Sequence, residues 1–230
     1  MNAILLASGY GKRLRPYTRF TPKCLIKVKG VPLLKIWLNQ LERANIKKVL
    51  INTHYLSEKI ENFLKKNEFR IKIELSYEKK LLGTAGTLIK NINFYENRTG
   101  LLIHADNYCQ EPILNVIRKH KQRPRDAIMT ALTFSTNDIS SCGIFKVDKK
   151  NLVLDFFEKP KGNYKNIGNI ANGAIYVLSE NFFNIARKKF TKAKNFSEDI
   201  IPKIKHKIYC YHVKKKLIDI GSIKNYNKVK

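Results

Sequence analysis

The chain has 230 residues, 43% of them hydrophobic, and carries 45 lysines and arginines against 18 acidic residues, a net charge of +27. That length and apolar share suit a single domain with a sizeable core and exclude a disordered chain. No apolar run reaches the roughly 18–20 residues of a membrane span. The N-terminal apolar stretch, 3–7, is too short for a signal-peptide core and has no basic segment before it, so the expectation is a cytoplasmic protein with no membrane insertion. The lysines are scattered along every segment, with only short clusters such as 187–189 and 214–216 and no arginine-rich arm. This pattern reads as a solvated basic surface that draws anionic substrates, not as a nucleic-acid footprint. Cys24, Cys109, Cys142 and Cys210 lie far apart with no C-x-x-C, which reads as packing and not as a metal site.

In chain order, residues 2–7 read as a short, fully buried strand. Residues 32–46 follow helical spacing, with Leu33, Leu34, Trp37, Leu38, Leu41 and Ala44 on one face and Pro32 at the first turn. "KKVLINT" predicts a strand, and "SEKIENFLKK" a helix capped by Ser57. "IKIELSY" is a strand, "TAGTLIKNI" a short helix, "GLLIHAD" a continuous apolar strand, and "EPILNVIRKH" a helix with Pro112 near its start. Four strand–helix units in the first 122 residues predict a mostly parallel, Rossmann-like α/β sheet flanked by helices. The second half differs. "DAIMTALTF", "CGIFKVD", "LVLDFFEKP" and "ANGAIYVL" are closely spaced and predict antiparallel additions laid over one side. Helices at 180–189 and around 197–204, a strand "KIYCYHV" and a closing helix from Ser222 complete the chain. One continuous domain, 1–230, is expected, with residues 1–122 and 123–230 as its two functional halves.

Sites in parallel sheets form beyond the carboxyl ends of the strands, where "ASGYGKR" and "HADN" fall. The opening segment "LLASGYGKRLRPYT" leaves a buried strand for two glycines and a run of fixed positive charge. A Walker loop is excluded, because Gly9 and Gly11 are too close and Arg13 stands where a hydroxyl is needed. A dinucleotide fingerprint fails as well, because Leu14 replaces its third glycine. What remains is a turn whose backbone N–H groups can approach an anion that nearby cations neutralise. Taken alone, "GYG" is a tight turn on a basic surface.

Several segments in fixed order make the chain resemble the sugar-1-phosphate nucleotidylyltransferases. Residues 5–34, "LLASGYGKRLRPYTRFTPKCLIKVKGVPLL", are similar to that family's opening signature. "LLGTAGTL", "HADN", "CGIFKVD", "FFEKP", "ANGAIYVL" and "LIDIGSIKNY" follow in family order. Ser8 for a common Gly or Ala, Lys12 for Thr or Ser, and His104-Ala105 before the Asp are departures that remove no group the chemistry requires.

The resemblance implies transfer of a nucleotidyl group from a nucleoside triphosphate to a sugar 1-phosphate, releasing pyrophosphate, with Mg2+ as cofactor. It implies a nucleotide site of Leu6, Ala7, Ser8, Gly9, Gly11, Lys12, Arg13, Lys23, Gly83 and Asp106, with Glu78 reading a base edge. Arg13 is expected on the pyrophosphate, Lys23 on the α-phosphate, and Asp106 and Asp219 on the metal. Lys159 is expected on the sugar phosphate, Glu158 on sugar hydroxyls, and Gly86, Gly143 and Asn172 at the sugar. Without the family, each has a plainer reading: a helix cap or lysine ion pair for either aspartate, a helix-start turn for Gly83 and Gly86, strand packing for Gly143, and a strand-ending turn for "EKP". Arg15 reads equally as a surface charge, Asn107 as the start of the next helix, and the five histidines as core or surface residues. The short chain, "LGTAG", "FFEKP" and "DIG" look most like the mannose- or heptose-1-phosphate guanylyltransferases, with surface-glycan synthesis as the implied context. A hexapeptide-repeat domain is not expected, and homo-oligomerisation stays open. Uridylyl, thymidylyl or cytidylyl transfer, including to phosphocholine, is the alternative within the class. A basic nucleic-acid-binding module is the alternative outside it, and it predicts steep salt dependence without turnover.

Overall fold

The computed structural model describes residues 1–162 and 166–230. The first half contains β1 (Asn2–Leu6), a small hairpin of β2 (Lys27–Val28) and β3 (Val31–Pro32), α1 (Leu33–Arg43), β4 (Lys48–Thr53), α2 (Ser57–Lys65) and β5 (Lys72–Tyr77). It continues through α3 (Gly83–Lys90), β6 (Gly100–His104), β7 (Asn107–Cys109) and α4 (Ile113–Lys121). The second half contains β8 (Met129–Ser135), β9 (Gly143–Val147), β10 (Val153–Glu158), β11 (Ile170–Leu178), α5 (Glu180–Lys189), α6 (Ile201–Ile204), β12 (Ile208–His212), β13 (Leu217–Asp219) and α7 (Ile223–Tyr226).

The central sheet runs β5-β4-β1-β6-β11-β8-β12. β5, β4, β1 and β6 are parallel, β11 is antiparallel to both its neighbours, and β12 runs parallel to β8. Both faces are covered, as the continuous apolar runs require. Ala3, Leu5, Val49, Ile51, Leu101 and Ile103 point into a core with α1, α2 and α4. Their neighbours in sequence, Ile4, Leu50 and Leu102, point into a second core with α3, α5 and the Phe196–Ile204 segment. The period-2 alternation of a strand thus feeds two cores from one sheet.

The second half departs from the expected overlay. β8, β11 and β12 extend the main sheet itself, and the β9–β10 hairpin joins the same sheet as a branch through β11. β11 makes both arrangements from one strand. Its residues 175–178 pair with β6, its first two residues pair with β9, and an irregularity between Asn172 and Tyr176 separates the two. Ser57 does not cap α2. Leu56 takes that position in a left-handed conformation, with no side-chain cap. Serine caps are used instead by α5 (Ser179) and by the single-turn α7 (Ser222). Residues 196–204 form one wide turn followed by one α-turn, not a regular helix.

Candidate active site

Three segments converge beyond the carboxyl ends of β1 and β6: the opening loop, residues 104–107, and the turn after β13. A three-pair antiparallel ladder of β7 with β13 sets Asn107 opposite Asp219, and Ile220 N–H donates to the Asp106 carbonyl at 3.2 Å. Asn107 therefore starts a strand and not the following helix. Its Nδ2 donates to the Gly173 carbonyl at 2.9 Å, and its own carbonyl accepts from Trp37 Nε1 at 2.9 Å.

Between the two aspartates lies Lys23, which is buried. Its Nζ is 2.6 Å from Asp106 Oδ2 and 3.3 Å from Asp219 Oδ1. Burial pushes the Lys23 ammonium down, but Asp106 and then Asp219 outweigh it and hold its pKa above the ordinary lysine value. Burial likewise raises the Asp106 carboxyl, and Lys23 followed by His104 outweighs that, leaving it below the usual carboxylate value. Lys23 and Asp106 thus form an ion pair, with Asp219 Oδ1 as the second contact of the ammonium. Gly221 N–H donates to Asp219 Oδ1 at 2.7 Å. A Cβ on Gly221 would lie 2.9 Å from Arg13 Nη2, so the exposed Arg13 crosses closely over this turn.

Arg13, Asp106 and Asp219 line a cleft of about 230 Å³ together with Gly143, Glu158, Lys159, Asn172 and Tyr176. Gly143 admits its neighbours by lacking a side chain: a Cβ there would meet Phe156 Cζ at 2.6 Å and Glu158 Oε2 at 2.8 Å. Lys159 has φ +44 and Nζ 3.5 Å from Glu158 Oε1, and its backbone N–H donates to the Cys142 carbonyl at 3.1 Å. Asn172 Nδ2 donates to Tyr176 Oη at 2.7 Å, while its Oδ1 accepts from Ala174 N–H at 3.0 Å across the β11 irregularity.

Other expected residues lie elsewhere. Glu78 is buried, and its Oε1 accepts from Asn52 and Thr87 while Oε2 accepts from Leu82 N–H. Those bonds hold the carboxylate inside the fold. Gly83 and Gly86 do not border the cleft. A Cβ on Gly83, where φ is +79, would lie 2.4 Å from the Lys194 carbonyl, and one on Gly86 would approach Leu82 Cβ at 3.1 Å and Ala193 O at 3.7 Å. Their close approach is to the 193–195 segment, whose Lys194 carbonyl accepts from Ala85 N–H. Leu6 and Ala7 form the strand exit, and the Leu6 carbonyl accepts from Ala105 N–H at 3.0 Å. Gly9 is open, and Gly11 is left-handed at φ +63. Lys12 sits 5.3 Å over the Tyr10 ring, and Arg15 is exposed.

Some site neighbours were not singled out from the sequence. Thr18 Oγ1 donates to the Gly11 carbonyl at 2.7 Å and pins the opening loop. His104, read as core or surface, lines the cleft. Its Nε2 is buried without a partner, and burial lowers its pKa against the pull of Asp106 and Asp219. An isolated polar residue closing an apolar strand was the available signal for His104.

The carboxylate pair fits magnesium. Its donors are hard oxygens that already gather a cation between them, and Mg2+ binds through one or two carboxylates completed by phosphate and water. Among the described residues no group of three or more His, Cys, Asp or Glu forms a closed metal cage.

Comparison with known proteins identifies the family of this chain. The chain is 29% identical over 228 residues to a D-glycero-alpha-D-manno-heptose 1-phosphate guanylyltransferase of Campylobacter jejuni, covering 98% of this chain and 97% of that protein. It is 26% identical to the mannose-1-phosphate guanylyltransferase catalytic subunit beta of Drosophila pseudoobscura, over 97% of this chain but only 60% of the fly protein's length. Among solved structures it superposes on HddC from Yersinia pseudotuberculosis complexed with GMP-PN at a TM-score of 0.80 and 23% identity, over 99% of this chain and 97% of that one. A putative glucose-1-phosphate thymidylyltransferase from Bacillus anthracis gives 0.85 at 21% identity, over 100% and 93%. Residues 2–230 match the family model for nucleotidyl transferases, and the chain belongs to that family.

Proposed function

We propose that the protein transfers a nucleotidyl group from a nucleoside triphosphate to a sugar 1-phosphate, with GTP as donor and a mannose or heptose 1-phosphate as acceptor. The observation that carries this reading is the Lys23–Asp106–Asp219 triad beside a cleft that Arg13 and Lys159 also line. Two polyanions must meet there, and separated cations around a carboxylate pair are what such a meeting needs. The guanylyl preference rests on the names of the relatives at 26% and 29% identity.

In the proposed reaction an oxygen of the sugar phosphate attacks the α-phosphorus. A new P–O bond forms, the bond to the β-phosphate oxygen breaks, and pyrophosphate leaves. No protein nucleophile is required, so the residues position and neutralise. Arg13 holds the departing pyrophosphate, and Lys23 turns from the aspartates to the α-phosphate. Lys159 grips the sugar phosphate, while Glu158 and Asn172 orient the sugar hydroxyls. Magnesium, when bound by Asp106 and Asp219, supplies charge neutralisation between the two substrates.

The test is pyrophosphate release from GTP, CTP, UTP and dTTP in magnesium, each against a panel of sugar 1-phosphates and phosphocholine. Turnover with one pair supports the proposal and fixes base and acceptor together, and no release with any pair overturns it. Asp106→Asn and Asp219→Asn should each lower turnover by roughly 100-fold or more with the fold retained. Wild-type rates in either variant at saturating magnesium would refute the metal assignment.

A further inference from the structure

The end of β4 carries a polar arrangement that the proposed chemistry does not use. Asn52 is 1% exposed and bonds in four directions. Its Oδ1 accepts from Ala7 N–H at 2.7 Å, and its Nδ2 faces Ser8 Oγ at 2.9 Å, Glu78 Oε1 at 2.9 Å and Thr87 Oγ1 at 3.1 Å. Two residues on, His54 Nδ1 lies 2.7 Å from the Glu78 carbonyl and Nε2 lies 2.9 Å from Tyr10 Oη. A carbonyl can only accept, so Nδ1 carries a proton, and Nε2 is hydrogen-bonded to the tyrosine hydroxyl. The Tyr10 ring also meets the His54 ring edge-on at 5.3 Å.

These contacts join the same two parts of the chain twice. The inner tether runs from Ala7 and Ser8 through Asn52 to the Glu78 side chain. The outer tether runs from Tyr10 through His54 to the Glu78 main chain. Between the anchored ends of the opening loop lies Gly9, which has no atom near its missing Cβ, and after them comes left-handed Gly11. A glycine-rich turn left untethered loses conformational freedom when it closes on an anion, and that loss weakens binding. Glu78 N–H donates to the Thr53 carbonyl at 2.9 Å, so both tethers end on a segment continuous with the sheet.

We infer that Asn52 and His54 are positioning residues that lock the opening loop to the β5–α3 loop and thereby set affinity for the nucleoside triphosphate. Neither touches the reacting atoms. This rests on the reading of the opening loop as the triphosphate cradle. It predicts that loosening the outer tether weakens nucleotide binding while the chemical step and the sugar-phosphate side are untouched.

The test uses Tyr10→Phe, which removes one hydroxyl at a partly exposed ring, and His54→Asn, which keeps a donor for the Glu78 carbonyl but loses reach to Tyr10. GTP, CTP, UTP and dTTP are titrated calorimetrically with magnesium into wild type and variants, and steady-state constants are measured with the tightest binder. Each variant should raise the nucleotide Kd and KM about tenfold. In both, kcat and the sugar-phosphate KM should stay within about twofold. The double variant should be no weaker than either single, because both cut one tether. Unchanged nucleotide affinity in both variants, with wild type binding normally, overturns the inference and leaves the functional reading standing. An equal rise in both substrates' KM overturns it too, because that marks general loosening. A wild-type protein that binds none of the four triphosphates overturns the functional reading and the inference with it. Asn52→Ala should act more strongly in the same direction, and circular dichroism separates that effect from misfolding.

Discussion

Replacing Lys23 with methionine isolates what the buried ammonium does for the fold. Methionine preserves most of the side-chain volume, so the loss is electrostatic. Two contacts disappear, at 2.6 Å and 3.3 Å, and two carboxylates are left facing one another without a cation. Breaking a fully buried ion pair costs about 3–5 kcal/mol. Here the Asp106 and Asp219 side chains keep 36% and 49% of their surface exposed, so water recovers part of their solvation. The net cost is then about 1–3 kcal/mol. For a chain of this length each kcal/mol moves the melting point by roughly 2–4 °C, which puts the variant about 2–12 °C below wild type in EDTA. Magnesium should narrow that gap, because it supplies the missing positive charge and in the variant no lysine competes for the carboxylates. The assay is thermal unfolding by circular dichroism, with and without magnesium, on both proteins. A Lys23→Met protein that melts within a degree of wild type in EDTA, with the same magnesium shift, would show that the triad carries no stabilising charge interaction.

Three further outcomes are expected. Gly83→Ala forces a left-handed alanine and drives its Cβ to 2.4 Å from the Lys194 carbonyl; it should cost about 2–4 kcal/mol, read as a lower denaturant midpoint, and a midpoint equal to wild type would refute the close packing. Gly143→Ala places a methyl 2.6 Å from Phe156 Cζ and 2.8 Å from Glu158 Oε2; kcat/KM for the sugar phosphate should drop roughly 10- to 100-fold while calorimetry finds nucleotide affinity unchanged, and an equal loss on both substrates would detach Glu158 from the sugar side. His120 is a core residue whose pKa is pushed from 6.5 to about 3 by burial and then by Arg123. Because the folded state refuses a proton that the unfolded chain accepts, its penalty is absent above pH 6.5 and grows as pH falls, approaching about 1.4 kcal/mol per pH unit. His120→Gln should flatten the stability profile between pH 6.5 and 5, and an unaltered slope in urea titrations would mean the ring is free to protonate.

The parallel half of the fold was legible because strands buried on both faces are written as unbroken apolar runs, as in "AILL" and "GLLIH". The helices α1 and α4 announced themselves by apolar spacing and a leading proline. What the sequence hid are pairings too short to leave a pattern. The β7–β13 ladder has three pairs and the β2–β3 hairpin two, so neither shows an alternation to read. The charged residues of the site stood out through their motifs. The packing of the glycines was not legible for a physical reason: a missing Cβ signals close approach but does not name the neighbour, and for Gly83 that neighbour includes Lys194, over a hundred residues away. The hydrogen bonds of Glu78 were hidden similarly, because its three bonding partners come from β4, α3 and the loop that leads into α3, and no spacing reveals that they meet.

The β7–β13 ladder also separates the durability of the site from that of the fold. Asp219 is held by three strand pairs and the Gly221 turn, outside the main sheet and tied to its first core through Leu217 and Ile220. Such a unit opens with a free energy well below that of global unfolding. A protein warmed moderately would fray here first, withdrawing one of its two carboxylates while the sheet keeps its spectrum. Hydrogen exchange at the amides of residues 217–221 should therefore outpace exchange in β1 and β6, and catalysis should fade on heating before the core melts.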